Sequence, residues 1–356
     1  MEQQLFDRFF AQAPSDLDVE AIRREWRALG SHYPLEGRAL PLPLWARRGL
    51  SDSAAEAWCY LHHDVPSIDA AKPFCIYIHI PFCAGRCAFC DCYSYPLRRH
   101  RAAHIESYVA LLQAEMRLWS GLGTLGERPL STVHLGGGTP TLLDAESLKR
   151  LVGSLRLLFR ARPATEWALE STTSELGSDT MATLEALGFS RLHLGVQTLD
   201  DDVRRRCGRR EPKAAVLHKI AGAVRGGWVV SVDLIAGLPG QSLAGWWEDL
   251  RPLAAVGVDG FSLYELQLSP RNDAFARLYG LAGRDGRANY WLFQAAARQL
   301  AALGYRKTLF NHWARERDTN LYFTFPERGE DCLAMGTSAD GVFGDYHYRH
   351  PEFRIY

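Results

Sequence analysis

Between Cys75 and Leu266 the chain repeats one pattern six times: a short apolar run, then a helical stretch. The runs are CIYIHI, TVHLG, EWALE, RLHLGV, VVSVDLIAG and GFSLYEL. In one connection Tyr108, Leu111, Leu112, Met116 and Trp119 recur at helical spacing, and in another Leu148, Leu151, Val152, Leu155 and Phe159 do so. Strands alternating with amphipathic helices predict an α/β fold, with a parallel sheet joined by crossover helices. In closed or partly closed sheets of this kind, chemistry collects at the C-terminal ends of the strands.

Just after the first run stands YIHIPFCAGRCAFCDC, with Cys83, Cys87 and Cys90 in one short loop. Three thiolates leave one iron of a four-iron cluster open, because such a cluster needs four ligands. An open position is what separates a reactive metal site from a structural one. A zinc site would call for a second Cys or His pair downstream, and His100 and His104 lie in an Arg-rich stretch without compact ligand spacing. A disulfide framework suits neither eight cysteines in 356 residues nor an N-terminus without a secretory signal.

The Cys-x3-Cys-x2-Cys spacing resembles the radical S-adenosylmethionine (SAM) superfamily. The words from Tyr77 to Cys83 and from Phe89 to Cys92 resemble its HemN-like branch, and the likeness runs from Tyr77 to the C-terminus. That branch contains oxygen-independent coproporphyrinogen oxidases, haem chaperones, anaerobic haem-degrading enzymes, C-methylases and cyclopropanases. The resemblance implies a partial (β/α)6 TIM-like barrel over residues 73–300. An N-terminal extension over 1–72 and a small C-terminal segment over 301–356 flank it. It also implies a 4Fe-4S cluster on Cys83, Cys87 and Cys90, with SAM on the open iron and room in some members for a second SAM. Many members carry a further C-terminal domain, whereas this sequence ends at Tyr356, which puts enclosure of a large substrate in question.

The remaining SAM contacts follow from the same resemblance. Gly136 to Thr141 (GGGTPT) matches the glycine motif at the methionine end of SAM, which assigns Gly137, Gly138 and Thr139. Glycines there let a backbone approach a ligand closely. Glu170 ends its strand where a carboxylate can accept from ribose hydroxyls or an ammonium group. Gln197, in GVQTL, both donates and accepts. Arg209 offers a planar fork to a carboxylate, while Arg204, Arg205, Arg206 and Arg210 read as a solvated helix face. Asp233 stands in an apolar strand before GLPGQ, so it needs a specific partner. Tyr77 is assigned to SAM and to catalysis, Phe89 to packing near the adenine, and Cys92 to a substrate-side role or a buried structural thiol. Tyr264 is a candidate pocket wall or a core tyrosine. Cys59, Cys75, Cys207 and Cys332 read as small buried residues.

Lys+Arg and Asp+Glu each total 41, so no net field favours nucleic acid or a membrane surface. No apolar run is long enough for a transmembrane helix, and a cytoplasmic location is expected. Near the N-terminus a helix is expected around Asp18–Leu29, followed by a Pro-rich linker, YPLEGRALPLPLWARRG. The implied reaction is reductive cleavage of SAM to an adenosyl radical that abstracts hydrogen. An external reductant such as flavodoxin or ferredoxin would supply the electron. The tail words HWARERDTNLYF and GDYHYRH resemble the methylase and haem-utilisation members more than the porphyrinogen oxidases, and that resemblance implies transfer of a SAM-derived carbon to an unsaturated small molecule, by C-methylation or cyclopropanation. Decarboxylation or ring opening of a tetrapyrrole is the alternative, and a haem chaperone is a third. His312, His347, Tyr348 and His350 are candidate haem contacts or ordinary structural residues.

Overall fold

The computed structural model describes residues 2–29, 53–97, 101–281, 286–344, 346–353 and 356. The Pro-rich linker and His100 lie outside the described residues. All six predicted strands form. In chain order the strands are β1 (Phe74–Ile80), β2 (Phe82–Cys83), β3 (Tyr95–Pro96), β4 (Leu130–Gly137), β5 (Ala161–Ser171), β6 (Arg191–Gln197) and β7 (Val229–Ala236). They continue with β8 (Gly260–Glu265), β9 (Arg306–Leu309), β10 (His312–Ala314), β11 (Asp331–Met335), β12 (Asp340–Phe343) and β13 (Tyr346–Arg349). The fold is α/β with a central parallel sheet, as expected.

The described residues fall into two compact units. One holds 2–29, 86–91 and 193–318, and the other holds 53–85, 92–192 and 319–356. In the latter, the strand order is β13-β12-β11-β1-β4-β5. Strand β1 is buried along its whole length, as a strand covered on both faces must be. It pairs in parallel with β4 and with β11, so Tyr77 sits beside His134 and Ala334. The short strands β11 to β13 escape an apolar-run search because they mix polar and apolar residues. They extend the sheet at the edge of β1. A buried ion pair fixes this edge: Arg128 Nη2 lies 2.7 Å from Asp331 Oδ2, with Phe74 and Phe343 against the guanidinium.

In the other unit the order is β6-β7-β8-β10-β9. Strands β7 and β8 are parallel, and β10 runs antiparallel to both β8 and β9. The expected N-terminal helix forms at Val19–Leu29. It packs with the helix Glu2–Phe9 against the helix Arg287–Ala302, through Phe6, Trp26, Tyr290 and Trp291. Among the described residues, no helix is long and apolar enough to cross a membrane.

Candidate active site

In the unit containing β1, the loop leaving that strand reaches Cys83 at the end of β2, which pairs with β3. The glycine segment lies against this loop. Gly138 N–H donates to the Ile80 carbonyl and Thr139 N–H to the Phe82 carbonyl, each at 2.7 Å. The Thr139 hydroxyl faces Cys83 Sγ at 3.7 Å. A Cβ on Gly136 would collide with Glu170 and Tyr77, one on Gly137 with His79, and one on Gly138 with the Phe82 backbone. Glycine is therefore required at Gly138 by the Phe82 backbone and at Gly137 by φ +106°.

Tyr77 lies inside β1, not at its end. Its ring stacks on Tyr322 at 4.7 Å, and Tyr322 in turn stacks on His134 at 4.5 Å. Burial, then the nearby carboxylate of Glu170 and the Cys92 thiol, pushes the Tyr77 phenol well above its usual range. Burial holds His79 below the ordinary imidazole value. Glu170 accepts from His134 Nε2 at 3.1 Å and from Gly137 N–H at 3.0 Å, with its side chain 30% exposed. Cys92 is exposed, which removes the alternative of a buried structural thiol.

In the other unit, residues 86–91 carry Cys87, Phe89 and Cys90. Cys90 N–H closes a turn onto the Cys87 carbonyl at 3.1 Å, and Ala88 N–H donates to the Cys207 carbonyl at 3.2 Å. Phe89 is buried with Val203, Cys207, Leu238 and Phe275, and Cys87 packs on that cluster. The Asn272 amide donates to the Phe89 carbonyl at 2.8 Å. Arg209 sits over the Phe89 ring and donates to the Gly195 carbonyl. Burial pushes the Cys207 thiol up to about 12, so it is a packing residue.

Gln197 ends β6 with φ +69°, a conformation rare outside glycine. Its Oε1 is buried without a hydrogen-bond partner among the described residues, and so is Arg209 Nε. Strained backbone of this kind clusters at functional sites, and an unpartnered buried polar atom calls for an explanation. Asp233 also lies within its strand, and its partner is His193, with Nε2 at 2.5 Å from Oδ1. The GLPGQ turn is closed by Gln241, which accepts from Gly237 N–H at 2.8 Å. Tyr264 is half-buried near the end of β8.

Two expectations need correction. Arg204 is not on a solvated face: it is 2% exposed and donates to the carbonyls of Val196, Thr198 and Glu211. Arg205, Arg206 and Arg210 are exposed as expected, although Arg206 also donates to the Pro239 carbonyl at 3.1 Å. Cys59 is exposed rather than buried, whereas Cys75, Cys207 and Cys332 are buried as expected. His79, His134, His193 and Tyr322 were not singled out from the sequence. The signal for the three histidines was available, since each is a polar residue inside an apolar strand and needs a specific partner.

The donor set suits an iron–sulfur cluster chemically. Cys83, Cys87 and Cys90 are reduced thiols at intermediate exposure, unlike the sealed core cysteines. Among the described residues, no three His, Cys, Asp or Glu side chains stand in a ready-made metal-ligating group.

The sequence matches the radical SAM superfamily over residues 77–253. It is 28% identical over 331 residues to an anaerobilin synthase of Escherichia coli O157:H7, covering 90% of this chain and 72% of the relative. It is 32% identical over 197 residues to the haem chaperone HemW of Bacillus subtilis, covering 55% of this chain and 51% of the relative. The structure of the radical SAM enzyme coproporphyrinogen III oxidase (HemN) from Escherichia coli superposes with a TM-score of 0.73 at 27% identity. That match covers 82% of this chain and 70% of the other. The chain thus spans about half to about seven tenths of the length of these proteins.

Proposed function

This chain belongs to the radical SAM superfamily, in its HemN-like branch, and from that premise we propose that it is an enzyme acting on a tetrapyrrole. The family uses a 4Fe-4S cluster and SAM. When bound, the two supply reductive carbon–sulfur cleavage and a carbon radical that abstracts hydrogen. The chain's own residues bind and orient. Cys83, Cys87 and Cys90 would hold the cluster, leaving one iron for the amino and carboxylate groups of SAM. Thr139 is placed to donate to the Cys83 sulfur. Glu170 would accept from SAM, at the position where it now accepts from the Gly137 amide. Gln197 and Arg209 offer SAM a buried acceptor and a buried donor, and Asp233 offers a carboxylate fixed by His193. Phe89, with Arg209 over its ring, would exclude water beside the cluster loop.

The observation that carries the tetrapyrrole assignment is the likeness to anaerobilin synthase over nine tenths of this chain, against 55% and 79% for haem chaperones of two other bacteria. Transfer of a SAM-derived carbon remains part of the proposal. The tail words HWARERDTNLYF and GDYHYRH favour it. The test is anaerobic turnover of reconstituted protein with SAM, a reductant and either haem or coproporphyrinogen, read by mass spectrometry. A modified tetrapyrrole supports the assignment. S-adenosylhomocysteine together with a one-carbon gain supports carbon transfer, and loss of carbon dioxide without it supports decarboxylation. 5′-Deoxyadenosine formed beside an untouched tetrapyrrole would overturn the substrate class and point to another unsaturated small molecule.

A further inference from the structure

Behind Asp233 runs a row of buried polar side chains that strand register puts in place. Asp233 of β7 pairs with Ser262 of β8, and Ser262 pairs with His312 of β10. Residues paired directly across strands present their side chains to the same face. Two residues earlier, Ser231 pairs with Gly260. His193 of β6 completes the row. Its Nε2 lies 2.5 Å from Asp233 Oδ1 and 3.3 Å from Ser262 Oγ. Ser262 Oγ is 2.9 Å from His312 Nδ1, and His312 Nε2 is 2.8 Å from Asp318 Oδ2. The Ser231 hydroxyl donates to the same Asp318 oxygen at 2.7 Å. A Cβ on Gly260 would collide with Asp318 and His312, so the glycine makes room for the pair.

The row has a sealed end and a reachable one. The Asp318 side chain is wholly buried, and His312, Ser262 and His193 are each at most 3% exposed. Asp233 keeps 23% of its side-chain surface. The hydrogen-bond directions are also constrained. A carboxylate only accepts, so Asp318 takes the proton-bearing Nε2 of His312. In the neutral ring Nδ1 then accepts from the Ser262 hydroxyl. That turns the Ser262 oxygen toward the Nε2–H of His193, the same N–H that meets Asp233. Asp233, an acceptor only, already requires the proton on His193 Nε2, and the Ser262 oxygen, turned to accept, holds that same ring edge against Asp233.

We propose that His193 is a positioning residue for Asp233, and that Ser262, His312 and Asp318 hold its ring edge in place so that Asp233 meets SAM in one orientation. The proposal rests on Asp233 as a SAM contact. Outer partners of metal ligands shift metal affinity by about tenfold or more when removed, and an outer partner of a SAM-binding carboxylate is expected to act on the same scale. A network that only supported the fold would not be coupled to Asp233 in SAM binding.

The test is equilibrium binding of SAM to the anaerobically reconstituted full chain, with Asp233→Asn, His193→Gln, Ser262→Ala and the Ser262→Ala/Asp233→Asn double variant. Removing His312 would strand the buried Asp318 and threatens folding. Ser262→Ala cuts the row while leaving both His–Asp pairs. Melting curves and the cluster's visible absorption check that each variant is folded and loaded. Ser262→Ala and His193→Gln are expected to weaken SAM binding about tenfold, raising KM for SAM cleavage more than they lower kcat. In the Asp233→Asn background, Ser262→Ala should add no further loss. Unchanged affinity in Ser262→Ala and His193→Gln, with affinity lost in Asp233→Asn, overturns the proposal and leaves Asp233 as a SAM contact. Wild-type affinity in Asp233→Asn overturns both. Independent losses that multiply in the double variant also overturn the proposal.

Discussion

The phenol of Tyr77 donates to Nδ1 of His79 at 3.1 Å, while Nε2 of the same ring faces the Tyr93 carbonyl at 3.3 Å. A carbonyl only accepts, so Nε2 carries the proton and Nδ1 must accept. Burial keeps the ring below its ordinary pKa, which suits this neutral form. Tyr77→Phe would leave a buried acceptor without its donor, at a cost of about 1–3 kcal/mol. Denaturant unfolding of the cluster-free chain measures it. A loss well under 1 kcal/mol would contradict this hydrogen bond.

Gln197 stores backbone strain. A non-glycine residue held at positive φ costs on the order of 1–3 kcal/mol. Gln197→Gly should therefore melt no lower than the wild type while binding SAM more weakly. A variant that loses both stability and affinity would show that the amide supports the fold.

The pair Arg128–Asp331 is buried on both sides, with side chains 1% and 0% exposed. Asp331 also accepts from Gly344 N–H at 3.0 Å. Asp331→Ala strands the guanidinium, and an uncompensated buried charge costs about 3–5 kcal/mol. Chemical denaturation should record a loss of that size.

Glu115 and His350 tie the last residues down. Nε2 of His350 lies 3.0 Å from Glu115 Oε1, and Gly336 N–H donates to the other oxygen at 2.9 Å. Burial pushes Glu115 up, but the hydrogen bond and charge of His350 outweigh it, and the carboxyl ends below its usual 4.5. Burial pushes His350 down, but Glu115 outweighs that too, and the imidazole ends above 6.5. The carboxylate's contribution is present above pH 4.5 and is lost as pH falls through its lowered value. The imidazole's is present below pH 6.5 and is lost as pH rises through its raised value. Protection of the Gly336 amide from hydrogen exchange should hold between those pH values and fall on either side. His350→Gln should abolish the alkaline fall.

The six strands were legible because each is a continuous apolar run, and their order follows from alternation with helices. Strands β9 and β13, RKTL and YHYR, are not legible that way, since short edge strands carry polar side chains on the solvent face. Arg204 was misread for a related reason. Three successive arginines look solvated, yet one points inward to cap the Val196 and Thr198 carbonyls. The candidate site divides in the same way. Cys83, Cys87 and Cys90 announce themselves by spacing along the chain. His193, Ser262 and His312 meet only through register between strands, which no local pattern encodes.

The most direct test of the account is SAM cleavage by the anaerobically reconstituted, reduced chain. We predict 5′-deoxyadenosine from the wild type, and its loss together with the cluster's visible absorption in Cys83→Ala, Cys87→Ala and Cys90→Ala. Wild-type protein that assembles the cluster and binds SAM but forms no 5′-deoxyadenosine would contradict an enzymatic role and leave a binding protein on the same fold.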